Sequence, residues 1–226
     1  MAESASAFAP RRFRLIVFDW DGTLADSTAI IAGALQRACR DVGEPVPDDI
    51  AARYVIGLGL VDALRHVAPA LPLERHAELS ARYRDHYLAR DPEIPLFDGV
   101  PEMLEELDAA GFLLGVATGK TRAGLARALG QQGIAHRFVA TRCADEGHPK
   151  PHPDMLLHLM DRVGAIAGET LMIGDTTHDL ELAKYAGASA VAVAYGAHES
   201  TELAQLEPLA MVHSIGELRV WLRANA

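Results

Sequence analysis

Phe13-Arg14-Leu15-Ile16-Val17-Phe18-Asp19-Trp20-Asp21-Gly22-Thr23-Leu24 passes from branched and aromatic apolar residues into two aspartates and a glycine. A short, nearly unbroken apolar run reads as a strand covered on both faces, the signature of a parallel sheet. Asp19 and Asp21 stand where that strand opens into a turn. Further apolar runs at residues 112–118, 138–143, 170–173 and 188–194 also read as strands, and amphipathic segments separate them. In residues 121–132, Leu125, Ala128 and Leu129 share one helical face, and Gly130 and Gly133 can end the helix. Pro153 and Asp154 open another helix that runs toward Val163. Alternating β and α elements predict an α/β fold, a Rossmann-like doubly wound parallel sheet with its ligand site outside the carboxyl ends of the strands.

The alternation breaks between residues 27 and 90, where the pattern is helical throughout. Asp26 or Ser27 caps a first helix with Ile31, Leu35, Ala38 and Val42 on one stripe. Further helices are expected over residues 47–66 and 73–90, interrupted at Gly57-Leu58-Gly59. Asp91-Pro92-Glu93-Ile94-Pro95 through Asp98-Gly99 reads as the return linker. The expected organisation is a core of residues 1–26 and 91–226, with residues 1–12 frayed, carrying an inserted helical cap of residues 27–90.

Leu171-Met172-Ile173-Gly174-Asp175-Thr176-Thr177-His178-Asp179 repeats the first arrangement: an apolar strand, a glycine, then two aspartates at a strand-to-helix junction. In a doubly wound sheet both acidic clusters reach one crevice. Two carboxylates about 4 Å apart repel by roughly 4 kcal/mol at an effective dielectric of 20, so four of them require a cation or raised pKa values. An all-oxygen donor set suits Mg2+. His148, His152 and His178 lie close to these segments but lack the spacing of a zinc site.

The 226 residues are 50% hydrophobic and 23% charged, enough apolar content to bury a substantial core. A formal charge of −10 and a pI near 5.4 argue against a nucleic-acid partner, which clustered Lys and Arg would attract. A small anionic ligand is still compatible, because local cations can outweigh the average charge. Cys39 and Cys143 belong to no metal-ligand spacing and read as reduced thiols. No apolar run approaches the roughly 20 residues of a membrane helix, and the N-terminus lacks the apolar stretch of a signal peptide. The cytoplasm is therefore the expected compartment, and a monomer or small homo-oligomer the expected state.

With these motifs in order, the chain resembles the haloacid dehalogenase (HAD) superfamily, specifically its phosphoglycolate-phosphatase-like branch with a helical C1-type cap inserted after the first motif. Phe18 to Thr23 looks like the DxDGT first motif and Val116-Ala117-Thr118-Gly119 like the second. Lys150-Pro151-His152-Pro153 looks like the third, and Gly174 to Asp179 like the fourth. The resemblance implies a phosphatase acting on a small phosphorylated metabolite through an aspartyl-phosphate intermediate. It makes Asp19 the nucleophile and Asp21 the acid that protonates the leaving oxygen and then activates water. Thr118 and the Gly119 amide would hold phosphoryl oxygens, and Lys150 would neutralise charge on the nucleophile and the transferring group. Asp19, the Asp21 carbonyl and Asp175 would ligate magnesium, with Asp179 as a ligand or supporting carboxylate.

Gly119 departs from the Asn or Asp common at that place, and Trp20 from a smaller aliphatic residue. The cap is implied to select the substrate, with residues 57–60 as a reader loop and Arg53 or Arg65 as anion contacts. Asp21 argues against a dehalogenase, which lacks the second aspartate. A phosphomutase of the same superfamily stays open, since it differs chiefly in whether the aspartyl phosphate meets water or a sugar hydroxyl. Gly115 to Thr121 superficially suggests a P-loop, but three residues rather than four separate its glycines and Gly115 lies within the apolar run. A phospho-accepting signalling module lacks the helical insertion and the acid/base pair.

Overall fold

The structure, a computed structural model, describes residues 11–226. Six parallel strands form one sheet: β1 (Leu15–Phe18), β2 (Leu113–Thr118), β3 (Ala140–Cys143), β4 (Thr170–Gly174), β5 (Ser189–Val193) and β6 (Met211–Val212). Their order is β3-β2-β1-β4-β5-β6. Chain order reverses between β1 and β4, the switch point where a doubly wound sheet opens a crevice. Phe18 sits level with Val116 on one side and Ile173 on the other, so Asp19, Thr118 and Asp175 leave the sheet at one edge.

The central strand is apolar at every position because both faces are covered. Ile16 and Phe18 point into one cluster with Leu114, Val116, Leu171 and Ile173. Leu15 and Val17 point into the other, with Met172 and the helical residues Met155, Leu156 and Leu159. Each fully buried aliphatic or aromatic side chain contributes about 1.5–3 kcal/mol. The expected strands are present with ends shifted by a residue or two. β6 was not expected, since two residues carry no periodicity.

On the connections lie α5 (Val100–Ala109), α6 (Arg122–Gln132), α7 (Asp154–Val163), α8 (Thr177–Ala186), α9 (Ser200–Ala204) and α10 (Ile215–Asn225). Helix α6 begins at Thr121, whose side chain accepts from the Gly124 amide, and ends at left-handed Gly133.

Between β1 and β2 come α1 (Thr28–Asp41), α2 (Asp49–Tyr54), α3 (Leu60–Val67) and α4 (His76–Leu88), none of which joins the sheet. Ile31, Leu35, Ala38 and Val42 are buried as the stripe requires, and the same apolar cluster takes in Leu64 and Leu79 as well as Phe18 and Leu114. The helical stretch expected over 47–66 is interrupted as anticipated around Gly57-Leu58-Gly59, leaving α2 and α3 on either side of residues 55–59. Ser27 occupies the N-cap of α1, but its side chain makes no cap hydrogen bond. The Ser27 hydroxyl donates to Asp21 instead. Residues 1–10 of the expected frayed tail lie outside the described residues. Arg11 is tied down, donating to the carbonyls of Ala110 and Gly111 and lying over the Phe112 ring. Among the described residues no helix is long and apolar enough to cross a membrane.

Candidate active site

The turn after β1 places both aspartates. The Asp19 amide donates to the Ile173 carbonyl at 2.9 Å, extending the β1–β4 ladder by one residue. The chain then folds back, with the amides of Leu24 and Ala25 on the Trp20 carbonyl. Gly22 has φ +82°, and a Cβ there would lie 2.1 Å from Asp175 Oδ2. Only glycine satisfies both the backbone angle and the approach of the second acidic cluster.

Asp19, Asp175 and Asp179 are fully buried, and one carboxylate oxygen from each lies within 4.8 Å of the others. Lys150, on the loop before α7, reaches in from the side. Its Nζ donates at 2.6 Å to Asp19 Oδ1 and at 2.6 Å to Asp179 Oδ1. Burial opposes the charged amine, yet Asp179 and Asp19 outweigh it and hold the Lys150 ammonium above its ordinary range.

One ammonium against three acids leaves an imbalance. Burial pushes the Asp19 carboxyl up to about 7 against the pull of Lys150, with Asp179 and Asp21 adding to the rise. Asp175 is likewise raised, by burial and then by Asp19 and Asp179.

The three acids differ in how their oxygens are used. Asp179 is saturated by Lys150 on Oδ1 and by the Thr176 hydroxyl, at 2.7 Å, on Oδ2. The Thr176 amide completes a capping box at the start of α8. Asp175 accepts from the Thr23 hydroxyl at 2.9 Å and from the Ala197 amide at 2.7 Å. Asp19 Oδ2 is buried with no partner among the described residues. A buried carboxylate oxygen left unsatisfied costs about 1–3 kcal/mol or more, unless something else binds it. The orphaned oxygen, the all-oxygen donor set and the excess negative charge together fit a hard divalent cation such as magnesium.

Asp21 stands apart from this triplet. Its Oδ1 accepts from Ser27 Oγ at 2.7 Å and lies 3.0 Å from Lys120 Nζ, while its Oδ2 has no partner among the described residues. Lys120 was not foreseen as a site residue. It also donates at 2.7 Å to the Tyr87 hydroxyl of α4, joining the turn after β2 to the helical segment. Its only sequence signal is its place directly after Thr118-Gly119.

Thr118 ends β2 fully buried, and Gly119 follows with the helical segment pressed on it. A Cβ on Gly119 would lie 2.5 Å from the Leu58 carbonyl oxygen and 2.6 Å from that of Gly57. A side chain at this place would displace the 57–58 loop, which is why glycine stands where the resembled motif has Asn or Asp. Gly119→Ala is expected to destabilise the fold by about 1–3 kcal/mol, read from urea denaturation midpoints.

Two histidines add a second link to the helical segment. His178 Nε2 and His198 Nε2 each lie 2.9 Å from the Tyr54 carbonyl, which can only accept, so both rings carry their proton on Nε2. His198 Nδ1 in turn accepts from the Thr177 amide. Burial depresses His178 to about 4. Neither ring belongs to the acidic triplet, and the rings of His148 and His152 pack on each other.

The two arginines expected as anion contacts differ in their surroundings. Arg53 donates to Thr28 Oγ1 at 3.0 Å, and exposed Arg65 pairs loosely with Asp62 at 3.7 Å. Neither lines the cavity of about 220 Å³ beside Asp21, whereas Gly57, Leu58 and Leu60 do.

Residues 16–193 match the family model described as haloacid dehalogenase-like hydrolase. A protein of Dickeya dadantii named probable phosphatase IndB is 39% identical over 211 residues, covering 90% of this chain and 91% of its own length. A phosphoglycolate phosphatase of Vibrio vulnificus is 33% identical over 218 residues, covering 92% and 95%. The solved structure of a haloacid dehalogenase-like family hydrolase of Streptococcus pneumoniae superposes with a TM-score of 0.80 at 26% identity, over 93% of this chain and 98% of that one.

Proposed function

Since this chain belongs to the haloacid dehalogenase-like hydrolases and is a phosphatase of that superfamily, we propose that it hydrolyses a small organic phosphate monoester, with Asp19 as the nucleophile. The observation that carries the reading is the buried Asp19 carboxylate, held on one oxygen by Lys150 and unpartnered on the other. Lys150 fixes the orientation of that carboxylate, which is what a nucleophile requires.

In the first half-reaction the Asp19 carboxylate attacks phosphorus, and the bond from phosphorus to the ester oxygen breaks. Asp21, through Oδ2, gives its proton to that oxygen, which leaves as the alcohol. In the second, water attacks phosphorus of the acyl phosphate and Asp21 takes its proton. Inorganic phosphate departs and the Asp19 carboxylate is regenerated. Ser27 and Lys120 fix Asp21 through Oδ1, and the ammonium supplies compensation when Asp21 is ionised. Thr118 and the Gly119 amide would receive phosphoryl oxygens, with Lys150 offsetting charge as the phosphoryl group transfers.

Asp19, the Asp21 carbonyl and Asp175 would hold magnesium, with Asp179 supporting through Lys150 and Thr176. When bound, the ion supplies positive charge to the phosphoryl oxygens and to the three acids. The helical segment, residues 27–90, serves as the cap that shields the site, tied down by Lys120 to Tyr87 and by the two imidazoles on Tyr54.

Phosphate release from a panel of monoesters, with Mg2+ and with EDTA, tests the reading. Release should be catalytic, fall to background in EDTA and return with excess Mg2+. Turnover undiminished in EDTA after exhaustive dialysis would exclude the metal assignment. Absence of release from every ester would exclude the phosphatase assignment.

A further inference from the structure

Resting on the phosphatase reading, we infer that the preferred substrate is the phosphate ester of a predominantly apolar, ring-sized alcohol, seated in the cavity between the helical segment and the turn after β2. Short carboxylate-bearing alcohols such as glycolate are disfavoured. The cavity has a volume of about 220 Å³, and Asp21, Gly119 and Lys120 line it while Asp19 does not. It therefore lies on the side of the acid that protonates the leaving oxygen, where the alcohol portion must go.

Its walls are apolar. Ile31, Leu35, Val55, Ile56, Leu58 and Leu60 line it. Tyr83 and Tyr87 add two roughly parallel rings, 5.8 Å between centroids and 22° between planes. The Tyr83 hydroxyl has no hydrogen-bond partner among the described residues, which leaves one polar handle. A benzene ring occupies an apolar cavity of about 150 Å³, so a single substituted ring fits the space.

The cations that line the cavity are mostly committed. Lys120 pairs with Asp21 at 3.0 Å, and Arg127 Nε lies 2.5 Å from Asp91 Oδ2. Arg84 also lines it but is solvent-exposed, where water weakens what it offers an anion. A carboxylate on the leaving group would meet aliphatic walls and the Asp21 carboxyl, with only the exposed Arg84 free to offset its desolvation.

The test compares kcat/KM for 2-phenylethyl phosphate, ethyl phosphate and phosphoglycolate at fixed Mg2+. The alcohols of the first two have similar acidity, so their ratio reports the pocket rather than the chemistry. Burial of the phenyl group should favour the first by roughly 100-fold over ethyl phosphate, and phosphoglycolate should rank below it. The advantage should collapse in Leu58→Arg, or in Leu60→Arg should the first variant not fold.

Catalytic release with the three esters within about threefold, or with phosphoglycolate preferred, overturns the inference and leaves the phosphatase reading standing. So does a preference that persists unchanged in the arginine variant. Were no ester turned over, the phosphatase reading would fail. Calorimetric binding of the same esters to Asp19→Asn would then decide the pocket separately, with equal affinities for 2-phenylethyl and ethyl phosphate overturning it.

Discussion

Asp19→Asn is expected to lower kcat by about 10⁴-fold or more while the fold persists, because the amide keeps the shape of the carboxyl but cannot form the acyl phosphate. The same variant should leave a signature in stability. In the cation-free protein Asp19 is raised from 3.8 to about 7, so the folded state binds its proton more tightly than the unfolded state does. The contribution of that group is present at low pH and is lost as pH rises from about 4 toward 7. Urea denaturation in EDTA should show that decline in the parent chain, and a flatter profile in Asp19→Asn. A folded variant that retains turnover would remove Asp19 from the mechanism.

Lys150→Met is the second large effect. It replaces the ammonium that bridges Asp19 and Asp179 at 2.6 Å each, all three side chains being fully buried. Removing one member of a buried ion-pair group costs on the order of 3–5 kcal/mol, because the remaining charges are left uncompensated. Activity should fall by about 10²–10³-fold, the range for loss of a single preorganised electrostatic group. Lys150→Arg should not restore either quantity, since a planar guanidinium cannot occupy a pocket closed around a compact ammonium. A methionine variant within about 1 kcal/mol of the parent would show that the triad is not the electrostatic keystone argued for it.

Much of this was legible in the sequence because the core elements obey local rules. The apolar run from Leu15 to Phe18 reads as a strand covered on both faces, and the topology of such sheets brings the carboxylates at its end and beyond Gly174 to one edge. Lys150 needed the resemblance, since a lysine between prolines is ordinarily a solvated loop residue. Its complete burial comes from a turn that no periodicity reports.

What escaped the sequence depends on contacts between segments far apart in the chain. Lys120 gains Tyr87 only when α4 crosses the turn after β2, and Asp21 only when β1 and β2 lie side by side. Ser27 looked like a helix cap and is instead the partner of Asp21, two uses that the same residue type serves equally well. Arg53 reaches Thr28 of α1 and Arg65 pairs with Asp62 of its own helix, contacts that charge alone does not report. The small-residue break at Gly57-Leu58-Gly59 signalled a loop, while its pressure on Gly119 appears only in three dimensions.

The central claim is that a phosphoryl group passes through Asp19, and trapping it there is the most direct test. The chain would be mixed with a turned-over ester and Mg2+, acid-quenched within one turnover and reduced with borohydride, which converts an acyl phosphate to the corresponding alcohol. Peptide mapping is predicted to find aspartate converted to homoserine at position 19 alone, with the conversion absent in Asp19→Asn. Conversion at another carboxylate, or sustained turnover with no position converted, would contradict the account.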